Sequence, residues 1–232
     1  MIRAVIFDLD NTLTDFMKMK ERAIEAAAEA MIDAGLPRTK DEIIAGIHDV
    51  YEEEGIEYQK VFDRYLIRAH GKLEPRIHAA AVVAYRRARE GTLSLYPHVH
   101  ATLLELLRRG IKLGVLSDAP RLQAWLRLAY LQLHNLFDAV VTYEDTMARK
   151  PDPEPFRKIL EELAVAPQEA LMVGDWPGRD VEGARALGIR TVYARYGDTS
   201  GEACGETDYA IDDVAEVIRI VDELHAESRP ES

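Results

Sequence analysis

The chain is short of cysteine, of side-chain amides, of basic charge and of long apolar runs. Cys204 is the only cysteine among 232 residues, so no intrachain disulfide can form and a reducing compartment, the cytoplasm, is expected. No apolar run approaches the ~20 residues of a membrane helix. The opening residues 1–13 are too short and too acidic a stretch for a signal peptide. Lys and Arg together number 29 against 41 Asp and Glu, a net charge of −12, and the pI is near 5.1. That balance argues against nucleic-acid binding, which demands a basic face. It does not exclude a small anionic substrate held in a local positive pocket. Asparagine occurs only at Asn11 and Asn135, glutamine only at Gln59, Gln123, Gln132 and Gln168. Thermophilic proteins avoid these heat-labile amides, but a GC-rich genome also favours the abundant Ala and Arg, and both readings stay open.

What is present describes a globular protein: 47% of residues are hydrophobic and 30% charged, at a length that fits one or two domains. Ala4–Phe7 is wholly apolar and ends in acids, the pattern of a strand buried on both faces. Helical periodicity then takes over. Ile24, Ala27, Ala28, Met31 and Ile32 mark a first helix that Gly35 and Pro37 stop. Thr39 with Glu42 forms a capping box that opens a second. Further helices are expected over residues 56–70 and 75–90.

Beyond Pro97 helices and strands alternate. Strands are expected at 112–116, 139–142, 170–173, 190–193 and near 209–211. Helices are expected at 98–109, 121–133, 153–163, 179–187 and 214–225, and a frayed polar tail at 227–232. Such alternation means βαβ units and a parallel sheet. About 80 helical residues part the first strand from the rest, far more than the usual βα loop of roughly 2–6 residues. An all-helical domain inserted after the first strand accounts for them.

Polar groups gather at the expected carboxyl ends of strands, where open α/β sheets bind ligands. Asp8 and Asp10 follow the first strand, Ser117 and Asp118 the second, and Asp175 the fourth. Asp180 opens the next helix, and Lys150 lies in the loop after the third. The fold would bring Asp8, Asp10 and Asp175 together, a self-repelling cluster that calls for a hard cation such as Mg²⁺. Ser117 and Lys150 supply the hydroxyl and the charge that a phosphate needs. Carboxylate nucleophile, second carboxylate, hydroxyl, lysine and metal together make a phosphoryl-transfer kit. Taken singly, each has a plainer role: Asp10 as a turn residue, Ser117 as a helix cap, Lys150 as a surface charge.

Taken in order, Asp8-Leu9-Asp10-Asn11-Thr12-Leu13, Leu116-Ser117-Asp118, Lys150-Pro151 and Gly174-Asp175 through Asp180 resemble the four motifs of the haloacid dehalogenase superfamily. The resemblance covers nearly the whole chain. Within the superfamily it is nearest to small-metabolite phosphatases, whose members include neuraminate-9-phosphatase-like, nucleotidase-like and archaeal glyceraldehyde-3-phosphate phosphatase-like proteins. It implies a Rossmann-like, doubly wound parallel core of residues 1–15 and 96–232, with a helical cap of the first subclass at 16–95. It further implies Asp8 as nucleophile, Asp10 as acid and base, and Mg²⁺ on Asp8, Asp175 and the main-chain oxygen of Asp10. Ser117 and Lys150, with Asn11 and Asp118, would bind the phosphoryl group, and Asp180 would orient Lys150 or a metal-bound water. The expected partner is a small phosphorylated metabolite, with neither nucleic acid nor membrane, for a monomer or homodimer.

Asp10 sets the chain apart from dehalogenases and phosphonatases, which lack that second acid. A phosphosugar mutase of the same superfamily would carry an early cap histidine, and none lies between Asp8 and His48. A non-catalytic phosphate-binding or regulatory protein is the remaining alternative. Lys18, Lys20 and Arg22, just after the first motif, either face the substrate or form a solvated helix face.

Overall fold

In the computed structural model, which describes residues 1–227, β1 (Ala4–Phe7) is buried along its whole length. Its side chains alternate between two cores, as a strand's period of two requires. Val5 and Phe7 join Leu113, Val115, Leu171 and Val173 on one face, and Ala4 and Ile6 join Leu116, Ala170 and Met172 on the other. The strands β2 (Lys112–Leu116), β3 (Ala139–Val141), β4 (Ala170–Gly174), β5 (Arg190–Ala194) and β6 (Tyr209–Ile211) complete one sheet in the order β3-β2-β1-β4-β5-β6. Every pairing is parallel. The doubly wound α/β class expected from the sequence is the one observed.

The chain leaves β1 to build β2 and β3 on one side and β4 to β6 on the other, so the strand order reverses at β1. Phe7 is in register with Val115 of β2 and Val173 of β4. The residues that follow these positions therefore reach the same carboxyl edge, where such a reversal opens a crevice.

One compact unit comprises Met1–Asp15 and Ser94–Ser232, the other Phe16–Leu93. In the first unit, α5 (Val99–Arg108), α6 (Arg121–Tyr130) and α10 (Glu216–Glu227) place Leu103, Leu128 and Ile220 in the core that holds Val5 and Phe7. On the opposite face α8 (Pro153–Leu163) and α9 (Glu182–Ala186) contribute Phe156, Ile159 and Ala184. The short α7 (Tyr143–Thr146), absent from the expectations, rests on a reciprocal cap in which Asp145 accepts from the Thr142 amide and hydroxyl.

The second unit has its own core. α1 (Phe16–Asp33) packs along α4 (Pro75–Thr92), and α2 (Lys40–Glu54) and α3 (Val61–His70) close the bundle around Met31, Ile47 and Leu66. The capping box of Thr39 and Glu42 forms as read. The helix expected from residue 56 begins only at Val61, because Gly55 at φ 91° ends α2 and the chain turns before α3. Lys20 is not on a solvated face: it is 5% exposed, donates to the Ile56 carbonyl at 2.8 Å, and lies 4.1 Å from the Tyr51 ring centroid.

No helix among the described residues is long and apolar enough to cross a membrane. The tail expected to fray, beyond Glu227, lies outside the described residues.

Candidate active site

The carboxyl edge of the sheet gathers most of the polar residues read from the sequence. Asp8 continues β1, its amide bonded to the Val173 carbonyl at 2.9 Å. Ser117 continues β2 with its amide on the Val141 carbonyl at 2.9 Å, and Asp175 follows Gly174 at the end of β4. All three are buried.

Lys150 is the hub. Its ammonium contacts Asp8 Oδ1, donates to Asp180 Oδ1 at 2.6 Å and to the Leu116 carbonyl at 3.1 Å. It is buried with both partners, so the ion pairs are dry and each removed partner would leave an uncompensated charge. Its amide is held by Asp118 Oδ1 at 2.9 Å. Burial works against the lysine's charge, but Asp180, Asp8 and Asp118 outweigh it and hold its pKa above the ordinary range.

Asp180 reaches the hub from a π turn, Pro177–Val181, rather than from the α-helix expected from residue 179. The turn lets the Asp180 carboxylate fold back over Gly174 and accept the Trp176 amide at 3.0 Å. Trp176 itself lies under Arg179, whose guanidinium is 3.7 Å from the ring centroid and 3.6 Å from Asp118 Oδ2.

Carboxylate oxygens of Asp8, Asp175 and Asp180 lie within 4.8 Å of one another. Burial pushes the Asp8 pKa up to about 7, with Asp180 and Asp10 adding to the rise and Lys150 opposing it. Burial together with Asp8 and Asp180 pushes Asp175 to about 9, although its Oδ1 accepts from the Thr12 hydroxyl at 2.9 Å. Fully ionised, the three buried carboxylates would carry more negative charge than the Lys150 ammonium balances. That donor set of hard oxygens fits a divalent metal ion.

Asp10 departs from the grouping expected of its side chain. Its carboxylate is not a member of the trio, where Asp180 stands instead; Oδ2 accepts from Arg127 Nη1 at 2.9 Å. Asn11 adopts φ 59°, and its amide nitrogen is 3.5 Å from Thr199 Oγ1. Ser117 does not cap α6, which starts at Arg121; its hydroxyl oxygen accepts from the Ala119 amide at 3.2 Å.

The loop after β1 is clamped from the far side of the site. Tyr196 donates to the Thr12 carbonyl at 2.8 Å and stacks edge-on against Tyr96. A Cβ on Gly197 would stand 1.6 Å from the Asn11 carbonyl oxygen, so only glycine allows the two loops to touch. Arg127, Tyr196 and Gly197 are absent from the sequence reading, and Thr12 enters it only as a member of the first motif, with no role of its own. A signal existed for Arg127: it shares one helix face with the buried Ala124 and Leu128, where an apolar residue would be expected.

A family model described as haloacid dehalogenase-like hydrolase matches residues 2–188. Over 230 residues the chain is 36% identical to the glyceraldehyde 3-phosphate phosphatase of Methanopyrus kandleri, covering 97% of this chain and 99% of that protein. It is 33% identical over 227 residues to the enzyme of the same name from Methanocaldococcus jannaschii, covering 97% and 99%. Among solved structures, a HAD phosphatase from Thermococcus onnurineus shares 26% identity and a TM-score of 0.69, covering 95% of this chain and 98% of its own. The chain belongs to the haloacid dehalogenase-like hydrolases and is a phosphatase among them.

Proposed function

We propose that the chain is a Mg²⁺-dependent hydrolase of a small phosphomonoester, acting in the cytoplasm through an aspartyl-phosphate on Asp8. The observation that carries this reading is the buried Lys150 bridging Asp8 and Asp180 beside Asp175. Lys150 favours the ionised, nucleophilic form of Asp8, and Asp180 keeps Lys150 in place. Asp8 and Asp175, with the main-chain oxygen of Asp10, would hold Mg²⁺. When bound, the metal neutralises the carboxylates and the charge on the transferring phosphoryl group, the dominant contribution in this chemistry.

Asp8 attacks phosphorus while Asp10 gives a proton to the leaving alcohol. Asp10 then takes a proton from the water that hydrolyses the phosphoenzyme. Ser117, Lys150 and Asn11, with main-chain groups of Asp118, bind the phosphoryl oxygens. The helical unit at residues 16–93 is the part of the chain to which the choice of substrate falls.

Glyceraldehyde 3-phosphate is the first substrate to test, because relatives that align along almost the whole chain carry that name. A panel of that ester, phosphoglycolate, hexose phosphates, nucleoside monophosphates and p-nitrophenyl phosphate, assayed for phosphate release with Mg²⁺, decides it. A triose phosphate should show the highest kcat/KM. Preference for a nucleotide or a hexose would overturn the substrate assignment, and no release from any ester would overturn the reaction.

A further inference from the structure

Arg127 sits on the inward face of α6, between Ala124 and Leu128, with its side chain 8% exposed. Burying a guanidinium carries a desolvation cost, and an apolar side chain would fill the same space without that cost. Its Nη1 donates to Asp10 Oδ2 at 2.9 Å. Two buried cations thus each hold carboxylates of the site. Lys150 serves Asp8 and Asp180, and Arg127 serves Asp10.

We propose that Arg127 is the positioning residue for Asp10 in the hydrolysis of the phosphoenzyme. This rests on the reading of Asp8 as nucleophile and Asp10 as its acid and base. The planar guanidinium gives its Nη1 donor, which holds Oδ2, a fixed direction that an ammonium on a flexible stem lacks. With Oδ2 fixed, the direction of Oδ1 is fixed too. In the step itself the oxygen of water bonds to phosphorus, and the bond from phosphorus to Asp8 breaks, its electron pair returning to the Asp8 carboxylate. Inorganic phosphate leaves, and the proton of the water passes to Asp10, which delivers it to the next leaving alcohol. A misdirected Asp10 slows this step. It does not slow phosphorylation by an ester whose leaving group departs without a proton, such as p-nitrophenyl phosphate.

The test is rapid mixing of the full chain with p-nitrophenyl phosphate and Mg²⁺, comparing wild type, Arg127→Met, Arg127→Lys and Asp10→Asn. Arg127→Met should release about one equivalent of nitrophenolate per protein in a burst. Turnover should then continue roughly 10- to 100-fold slower than wild type, the loss typical of a displaced catalytic group. Arg127→Lys should recover part of that rate, and Asp10→Asn should show a burst with a still slower second phase.

A purely structural role would lower the burst amplitude while leaving the rate per active site unchanged, and that result overturns the proposal. So does a wild-type steady rate in Arg127→Met beside a slow Asp10→Asn. A missing burst in Asp10→Asn instead overturns the reading of Asp10 on which the proposal stands.

Discussion

The Asp180 carboxylate occupies the space that a side chain on Gly174 would need: a Cβ there would lie 2.3 Å from Asp180 Cγ. The glycine that ends β4 therefore lets the π turn fold back, and the fold-back delivers Asp180 to Lys150. Gly174→Ala should displace Asp180, lowering turnover by about 10- to 100-fold and stability by ~1–3 kcal/mol. Urea unfolding and phosphate release on the same preparation check this, and an unchanged rate would show that Asp180 does not set the position of Lys150.

Lys150 compensates two buried carboxylates at once. Lys150→Met should abolish turnover and destabilise the metal-free protein by ~3–5 kcal/mol, the cost of leaving buried charge unpaired. The double variant Lys150→Met with Asp180→Asn should recover part of the stability and none of the activity. Full activity in the single variant would contradict the role given to the lysine.

Asp8 and Asp175 stand at about 7 and about 9 instead of the ordinary 3.8. A carboxyl group with a raised folded-state pKa contributes stability below its unfolded value and loses it as pH rises through its folded value. The metal-free protein should therefore melt at progressively lower temperature between pH 5 and pH 9. Excess Mg²⁺ should oppose that fall, since a ligand bound only by the folded state at about a hundredfold over its Kd adds ~2.7 kcal/mol. Melting curves in EDTA and in Mg²⁺ across that range test this; a melting temperature in EDTA that does not fall with pH would refute the buried-carboxylate account.

The sheet was legible because its strands are buried on both faces, which leaves apolar runs such as Ala4–Phe7 and Leu171–Val173 unbroken. The strand-end positions of Asp8, Ser117 and Asp175 followed from that. Less legible was whatever depends on contacts distant in sequence. Lys20 reads from the sequence as either a substrate contact or a solvated residue, whereas Tyr51 and the carbonyl of Ile56 close over it. Asp180 looked like the start of an α-helix, whereas the approach to Gly174 requires a wider turn. Asp10 looked like part of the carboxylate cluster because spacing along a loop says nothing of a cation 117 residues away. An arginine among apolar helix positions was the one local sign of that partner.

In the proposed mechanism Asp8 is the group that takes the phosphoryl. Asp8→Asn keeps the shape and an acceptor for Lys150 and removes one of three crowded carboxylates, so the variant should melt at or above the wild-type temperature. The most direct measurement is phosphate release by wild type and Asp8→Asn side by side, each with Mg²⁺ and with EDTA. Release should require both the metal and the carboxylate, with the variant at background. Release at the wild-type rate from folded Asp8→Asn would contradict the account.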